Sequence, residues 1–323
     1  MKTLFVVPLA LISVLCATSC KHHPVPCSKL DQQLLTAIKN NNLSVVQKLL
    51  QNGANIESKG DYGKTPLMLA AENGDIAMMK LLLQNNVNVE AQDEGGDTAL
   101  VYAARGFDIE VVKTLLEKVS DVHDQEQALL AASENGPVGV LDVSSDSRLN
   151  KADPHEQLKE MPEVAIVRLL LDRNINIETR DSDGDTPLIF AASHGQIEIV
   201  QLLLDRGAQV DARDNYGDTA LIAAACACAQ TTMRPTYDIL ALLLDRGAKI
   251  DAQAKDGSTA LINAATGFEI DNAELLIKRG ANLRLKNKKG KAALQLAREN
   301  GRSDAEKMLK KALAAQPSAR KIS

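Results

Sequence analysis

The apolar residues of this chain fall in short clusters of alternating character. Paired alanines (Ala70-Ala71, Ala103-Ala104, Ala191-Ala192, Ala264-Ala265) lead on to leucine-rich runs such as Leu81-Leu82-Leu83 and Leu202-Leu203-Leu204, with Gly- or Asn-containing polar stretches between them. This pattern predicts pairs of short helices, in which alanines let the first helix approach its neighbours and leucines of the second fill the core. The pairs open alike, with Gly63-Lys64-Thr65-Pro66-Leu67, Gly96-Asp97-Thr98-Ala99-Leu100, Gly184-Asp185-Thr186-Pro187-Leu188 and Gly217-Asp218-Thr219-Ala220-Leu221. Gly257-Ser258-Thr259-Ala260-Leu261 and the weaker Gly290-Lys291-Ala292-Ala293-Leu294 continue the series. Gly63 and Gly96, Gly184 and Gly217, and Gly257 and Gly290 are each 33 residues apart. A fixed period of this length marks a stacked repeat array.

Local chemistry agrees. Thr65, Thr98, Thr186, Thr219 and Thr259 stand where a side-chain oxygen caps a first helix, and Pro66 and Pro187 stand at the first helical position. Gly53, Gly207, Gly247 and Gly280 follow second helices, where a left-handed residue ends them. Asn86 and Asn174 hold the same place and tolerate that conformation, whereas Val119 does not. The link from Leu116 to Leu129 is also short, so an irregular hairpin is expected between the third and fourth units.

Thr-Pro-Leu, the Ala-Ala pair, the leucine run and a closing Gly-Ala together resemble the ankyrin repeat over about residues 29–313. The resemblance implies an all-α solenoid of about eight helix-turn-helix units joined by short β-hairpin loops. An atypical unit from Leu30 would cap one end and another from Gly290 the other. Two insertions, at about 137–162 and 229–236, fall between the helices of the fourth and sixth units, and from Gly217 to Gly257 the period stretches to 40. Such turns lie at the surface and tolerate extra chain. Residues 314–323 read as a disordered tail.

The N-terminus points to export. Lys2, an apolar run from Leu4 to Leu15 and the small residues Ala17, Thr18 and Ser19 form a signal peptide over residues 1–19. Cys20 directly after them resembles a bacterial lipobox cysteine, which would carry lipid, although Ala17 stands where that pattern prefers Leu. Plain cleavage after Ser19 stays open. Residues 20–28, with Pro24 and Pro26, read as a tether. The expected location is the bacterial outer membrane or periplasm as a lipoprotein, with membrane contact only through the lipid, or alternatively the exterior as a secreted protein.

Composition narrows the function. Only 2% of residues are aromatic, with no Trp, which suits small close-packed helices. The net charge of −5 argues against nucleic acid as a partner. The apparent chemical motifs fail on spacing. Gly63-Lys64-Thr65 lacks the first glycine of a phosphate loop, and Asp181 to Asp185 lacks the glycine and glutamate of a calcium loop. Cys226-Ala227-Cys228 is not the two-spacer redox motif and reads as small buried cysteines. Cys20, His22, His23 and Cys27 make a short metal set, shorter still if Cys20 carries lipid. His155-Glu156 has no second His at helical spacing. No catalytic, cofactor or metal site is expected. An enzyme would have to build its site on the 137–162 insertion.

The resemblance implies a protein-binding scaffold, monomeric, in which hairpin tips and first helices line a groove. Carried over position by position, the candidate partner-binding residues are Tyr62, Glu72, Asp97, Arg105, Asp183, Asp185, His194, Tyr216, Asp218 and Asp256. Asp97, Asp185 and Asp218 share one repeat position, so a regular stack would align them in an acidic stripe bounded by Lys64 and Lys291. That stripe favours a partner presenting Lys and Arg. Tyr62 and Tyr216 occupy equivalent tips as candidate anchors. The expected setting is the cell envelope, the alternative a soluble secreted effector that binds a host protein.

Overall fold

The computed structural model describes residues 28–134, 161–226, 236–267 and 270–315. Its helices form eight pairs. The first helices of the pairs are α1 (Lys29–Lys39), α3 (Pro66–Glu72), α5 (Ala99–Arg105), α7 (Val122–Glu134), α9 (Pro187–Ser193), α11 (Ala220–Cys226), α13 (Ala260–Thr266) and α15 (Ala293–Glu299). Their partners are α2 (Leu43–Gln51), α4 (Ile76–Gln84), α6 (Ile109–Leu116), α8 (Pro162–Leu171), α10 (Ile197–Asp205), α12 (Tyr237–Asp245), α14 (Ile270–Lys278) and α16 (Ser303–Ala315). Each first helix packs on the next first helix and each second helix on the next second helix, giving two parallel rows. No strand occurs among the described residues, only a single bridge between Lys286 and Ala292. The fold is an all-α solenoid of eight units. No described helix is long and apolar enough to cross a membrane.

The division of labour between alanine and leucine holds. Ala70, Ala103, Ala104, Ala191, Ala192 and Ala224 are fully or almost fully buried on the first helices, where a larger side chain would hold the helices apart. Met78, Leu82, Leu115, Leu170, Leu203, Leu243 and Leu276 are buried on the second helices. Thr65, Thr186, Thr219 and Thr259 accept the capping bond at 3.2–3.4 Å. Thr98 departs from this series. Its hydroxyl is buried without a partner, and α5 begins uncapped by a side chain. Gly53, Gly207, Gly247 and Gly280 have φ between 85° and 92°, and Asn86 and Asn174 both have φ 57°, so all six close second helices as expected.

The units are tied by a carboxylate ladder that the sequence pattern did not disclose. At each of the seven joints an acid accepts a backbone N–H from the next unit. Asp31 accepts from Asn55 (2.7 Å), Glu57 from Asn88 (2.7 Å), and Glu90 from Ser120 and Asp121 (3.2 and 3.1 Å). Glu126 accepts from Asn176 (3.3 Å), Glu178 from Gln209 (2.7 Å), Asp211 from Lys249 (2.9 Å) and Asp251 from Asn282 (2.8 Å). A hydrogen bond to an ionised acceptor is about twice as strong as a neutral one, so this ladder fixes the register of the stack.

The third joint is irregular in a definite way. After α6 the chain crosses only residues 117–121 and enters α7, which is 13 residues long where most first helices have seven. The extra turns occupy the space where other units place a hairpin. Val119 is buried there and keeps a negative φ. The insertions themselves and residues 1–27 lie outside the described residues, although their flanks fall between the two helices of units four and six. Pro162 starts α8 instead of ending an insertion, and Thr236 is the buried residue before α12. Helix α16 runs to Ala315, two residues into the assigned tail. Cys226 is exposed at the end of α11, which corrects the buried reading; it holds the repeat position of Glu72, Arg105 and Ser193, none of which is buried.

Candidate functional site

Six hairpin tips project beside the first helices, at residues 60–64, 93–97, 181–185, 214–218, 254–258 and 287–291. In each, the first residue's N–H donates to the fifth residue's carbonyl, at 2.9–3.2 Å. In three tips an aspartate makes the turn. Asp93, Asp181 and Asp214 each accept the N–H groups two and four residues on, at 2.8–2.9 Å. Asn287 does the same at 3.0 Å. These residues were not among the candidates, yet their side-chain bonds set where the candidates point. Gly60 stands at the same position in the second unit and has no carboxylate to offer. There the turn tightens, and Tyr62 takes a left-handed conformation (φ 57°, ψ 21°), which costs a residue with a Cβ about 1–2 kcal/mol.

Neighbouring tips are joined by backbone bonds. Glu94 N–H donates to the Tyr62 carbonyl (3.0 Å), Asn215 to Asp183 (2.8 Å), Lys255 to Tyr216 (2.7 Å) and Lys288 to Asp256 (2.7 Å). Because unit four has no tip, the row is broken into an N-terminal pair and a C-terminal four. Tyr62 lies on the first group and Tyr216 on the second, so they do not flank one continuous stripe. Both are prominent, 76% and 60% exposed. The Tyr216 hydroxyl donates to Asp183 Oδ1 at 3.3 Å, and the Asp183 charge raises the pKa of that phenol.

The charges of the two groups behave differently. In the N-terminal pair Asp61, Lys64 and Asp97 are held in ion pairs. Arg105 pairs with Asp97, Lys64 with Glu72 (2.8 Å) and Lys39 with Asp61 (2.8 Å). Lys64 also lies 4.5 Å from the Tyr102 ring centre, and Tyr102 donates to Asp93 Oδ2 at 2.6 Å. Asp97, Arg105 and Glu72, candidate partner contacts, are therefore each held in an ion pair within the chain. Asp97 leaves the acidic stripe. Lys64 and Lys291, its expected ends, are held by Glu72 and Glu299.

In the C-terminal four the acids stand without ion pairs among the described residues. Asp185 and Asp218 are half-buried, and no cation bridges either one among the described residues. Burial pushes Asp185 up to about 6, reinforced by the charges of Asp181, Asp214, Asp183 and Asp218. Asp218 is likewise pushed up to about 6 by burial, then by Asp214 and Asp256, with Arg213 opposing. Arg180 and Arg213 lie close by, but their guanidinium groups donate to carbonyls. Arg180 reaches Gly184 and Arg213, and Arg213 reaches Gly217 and Gln253, at 2.5–2.7 Å. Each arginine thus staples two successive units. Asp183 and Asp256 are exposed, with Asp256 also accepting from Ser258 N–H at 2.7 Å.

His194 also makes contacts within the chain. Its Nδ1 lies 2.9 Å from the Phe190 carbonyl and 3.0 Å from Ser193 Oγ, closing α9, and the ring is half-buried against Phe190. That nitrogen is engaged with its own helix. Cys20 lies outside the described residues. No cluster of potential metal ligands occurs among the described residues.

The observed surface is thus a row of stacked tips beside packed short helices, with four contiguous tips carrying unpaired charge and one exposed tyrosine. A family model described as Ankyrin repeats (3 copies) matches residues 34–139, 159–253 and 226–321. None of the curated proteins matches the chain.

Proposed function

This chain belongs to the ankyrin-repeat family, whose repeats generally serve as protein–protein interaction scaffolds, and on that premise we propose that it binds a basic partner protein through its C-terminal tips. One observation carries the reading. Among the described residues Asp183, Asp185 and Asp218 form no ion pair, while Asp97, equivalent to the last two, is held by Arg105. Unpaired acids at partly desolvated positions steer and hold a Lys- or Arg-bearing surface, and exposed Tyr216 beside them supplies an apolar anchor. The role is non-catalytic, and the chain acts as a monomer.

The N-terminal sequence supports display in the cell envelope as a lipoprotein with lipid on Cys20, the apolar run and small residues preceding that cysteine. Changing Cys20 to Ser then moves the protein from the membrane fraction to the soluble one, and the mature mass of the parent includes the lipid. A mature mass without lipid favours the secreted alternative.

The binding reading is tested by comparing the parent with an Asp183→Lys, Asp185→Lys, Asp218→Lys triple variant. Both are used to capture partners from envelope extracts at low and moderate salt. A protein retained by the parent, released by salt and lost with the variant supports the proposal. Equal retention by both refutes it.

A further inference from the structure

The four C-terminal tips change sign along the row. The tips of units five and six carry Asp181, Asp183, Asp185, Asp214 and Asp218. The seventh carries one charge of each sign, Lys255 and Asp256. The segment leading into the eighth tip and the tip itself carry Arg284, Lys286, Lys288 and Lys289, all exposed and none in an ion pair among the described residues. Around them, Lys278 pairs with Glu274, Arg279 with Asp245 and Lys291 with Glu299, so those three acids are already used. From residue 278 to 311 there are twelve Lys and Arg against three Asp and Glu. The chain as a whole is nonetheless acidic, at −5. The basic surplus is therefore local to one end.

Order and spacing along this row are fixed. Backbone bonds link Asp183 to Asn215, Tyr216 to Lys255 and Asp256 to Lys288 at 2.7–2.8 Å, and Gln253 Nε2 joins the carbonyls of Gly257 and Lys286 at 2.9 and 3.1 Å. Packed helices lie about 8–10 Å apart, so the acidic and basic ends, two to three units apart, are separated by roughly 16–30 Å. The screening length at physiological salt is about 8 Å. At that separation the two ends neither cancel nor act as one dipole; each presents its own field to whatever lies across it. A uniformly basic ligand laid along the row is attracted at one end and repelled at the other.

We propose that the C-terminal tips recognise an extended segment of polarised charge, with Lys or Arg opposite units five and six and Asp or Glu opposite unit eight. This rests on the protein-binding reading above and adds the chemistry and direction of the bound segment. An extended chain advances about 3.3 Å per residue, so roughly eight residues cover the row. Tyr216, exposed on the tip of unit six at the inner edge of the acidic end, contacts the segment next to its Lys or Arg block.

The probes are three labelled peptides of equal length: a Lys block followed by a Glu block, the same residues alternating, and a Lys block with a neutral tail. Binding is read by fluorescence anisotropy at low salt, with circular dichroism confirming that each protein variant is folded. The block peptide binds the parent several-fold tighter than the alternating one. A Lys286→Glu, Lys288→Glu, Lys289→Glu variant loses that advantage while binding the neutral-tailed Lys peptide at least as well as the parent. Equal binding of block and alternating peptides overturns the inference. If Asp183→Asn, Asp185→Asn, Asp218→Asn weakens the Lys peptide but the basic reversal changes nothing, the inference falls and the protein-binding reading stands. If neither variant changes any peptide, both fall. A salt-labile dimer of the parent, lost in either variant, overturns the inference in favour of a second copy of the chain on the row.

Discussion

Asp124 should destabilise the array at neutral pH, and replacing it with Asn should relieve the cost. The residue lies in the first turn of α7, where the helix has taken the place of a hairpin tip, and it is 2% exposed with Oδ2 unpartnered. Burial pushes its carboxyl up to about 6 from an ordinary 3.8; Asp121 and Glu90 add to the rise, and His123 opposes it. A helix N-terminus favours a negative charge by only about 0.3–1 kcal/mol, less than the desolvation it must offset. The folded-state pKa lies above the unfolded one, so between the two the unfolded chain holds fewer protons. Stability therefore falls as pH rises from about 4 to about 6 and stays low above that. At about 1.4 kcal/mol per unit, the penalty from this group approaches roughly 3 kcal/mol at pH 7.5 and only about 1 kcal/mol at pH 4.5. Asp124→Asn keeps the shape and removes the charge. Urea unfolding of parent and variant at both pH values, with slopes checked because repeat arrays can unfold in parts, measures the difference. A gain for the variant that grows by about 2 kcal/mol from pH 4.5 to 7.5 is expected. A gain of equal size at both pH values, or none at pH 7.5, would refute the reasoning.

Leu203→Ala removes a fully buried side chain of α10 and should cost about 2–4 kcal/mol in the same unfolding assay, without changing ligand binding at the tips. Carboxyl carbon NMR should show Asp185 and Asp218 titrating near pH 6, with uptake of protons below that pH weakening binding of a Lys peptide; midpoints near 4 would contradict the buried geometry. Gly217→Ala should lower the melting temperature, because φ is 81° there and a Cβ would sit 2.9 Å from the Lys255 nitrogen, at the bond joining two tips. Unchanged melting would mean that the tips are not coupled through that bond.

Much of this molecule is legible in its sequence because the relevant forces act over a few residues. Thr65 caps a bond three positions ahead, Pro66 begins a helix by its fixed φ, and Gly207 closes one by reaching φ 92°. The 33-residue period then counts the units, since each such set must recur wherever a helix pair does. The break in the row was also visible, in Val119 and the short link after Leu116, although not its form as an extended helix. Part of the charge pairing is local as well, set eight residues apart within one unit, whereas bonds and burial across units are not in the sequence. Asp97, Asp185 and Asp218 are equivalent in the repeat, yet only Asp97 has an arginine eight residues on, at Arg105; the other two units place Ser193 and Cys226 there. The carboxylate ladder joins residues 24 to 50 positions apart, and the burial of Asp124 depends on how α7 fills a missing hairpin. Capping and turn chemistry are local and repeat with the sequence. Desolvation, the bonds across units and the separation of acidic from basic tips depend on distances between units, and only the stacked structure sets those distances.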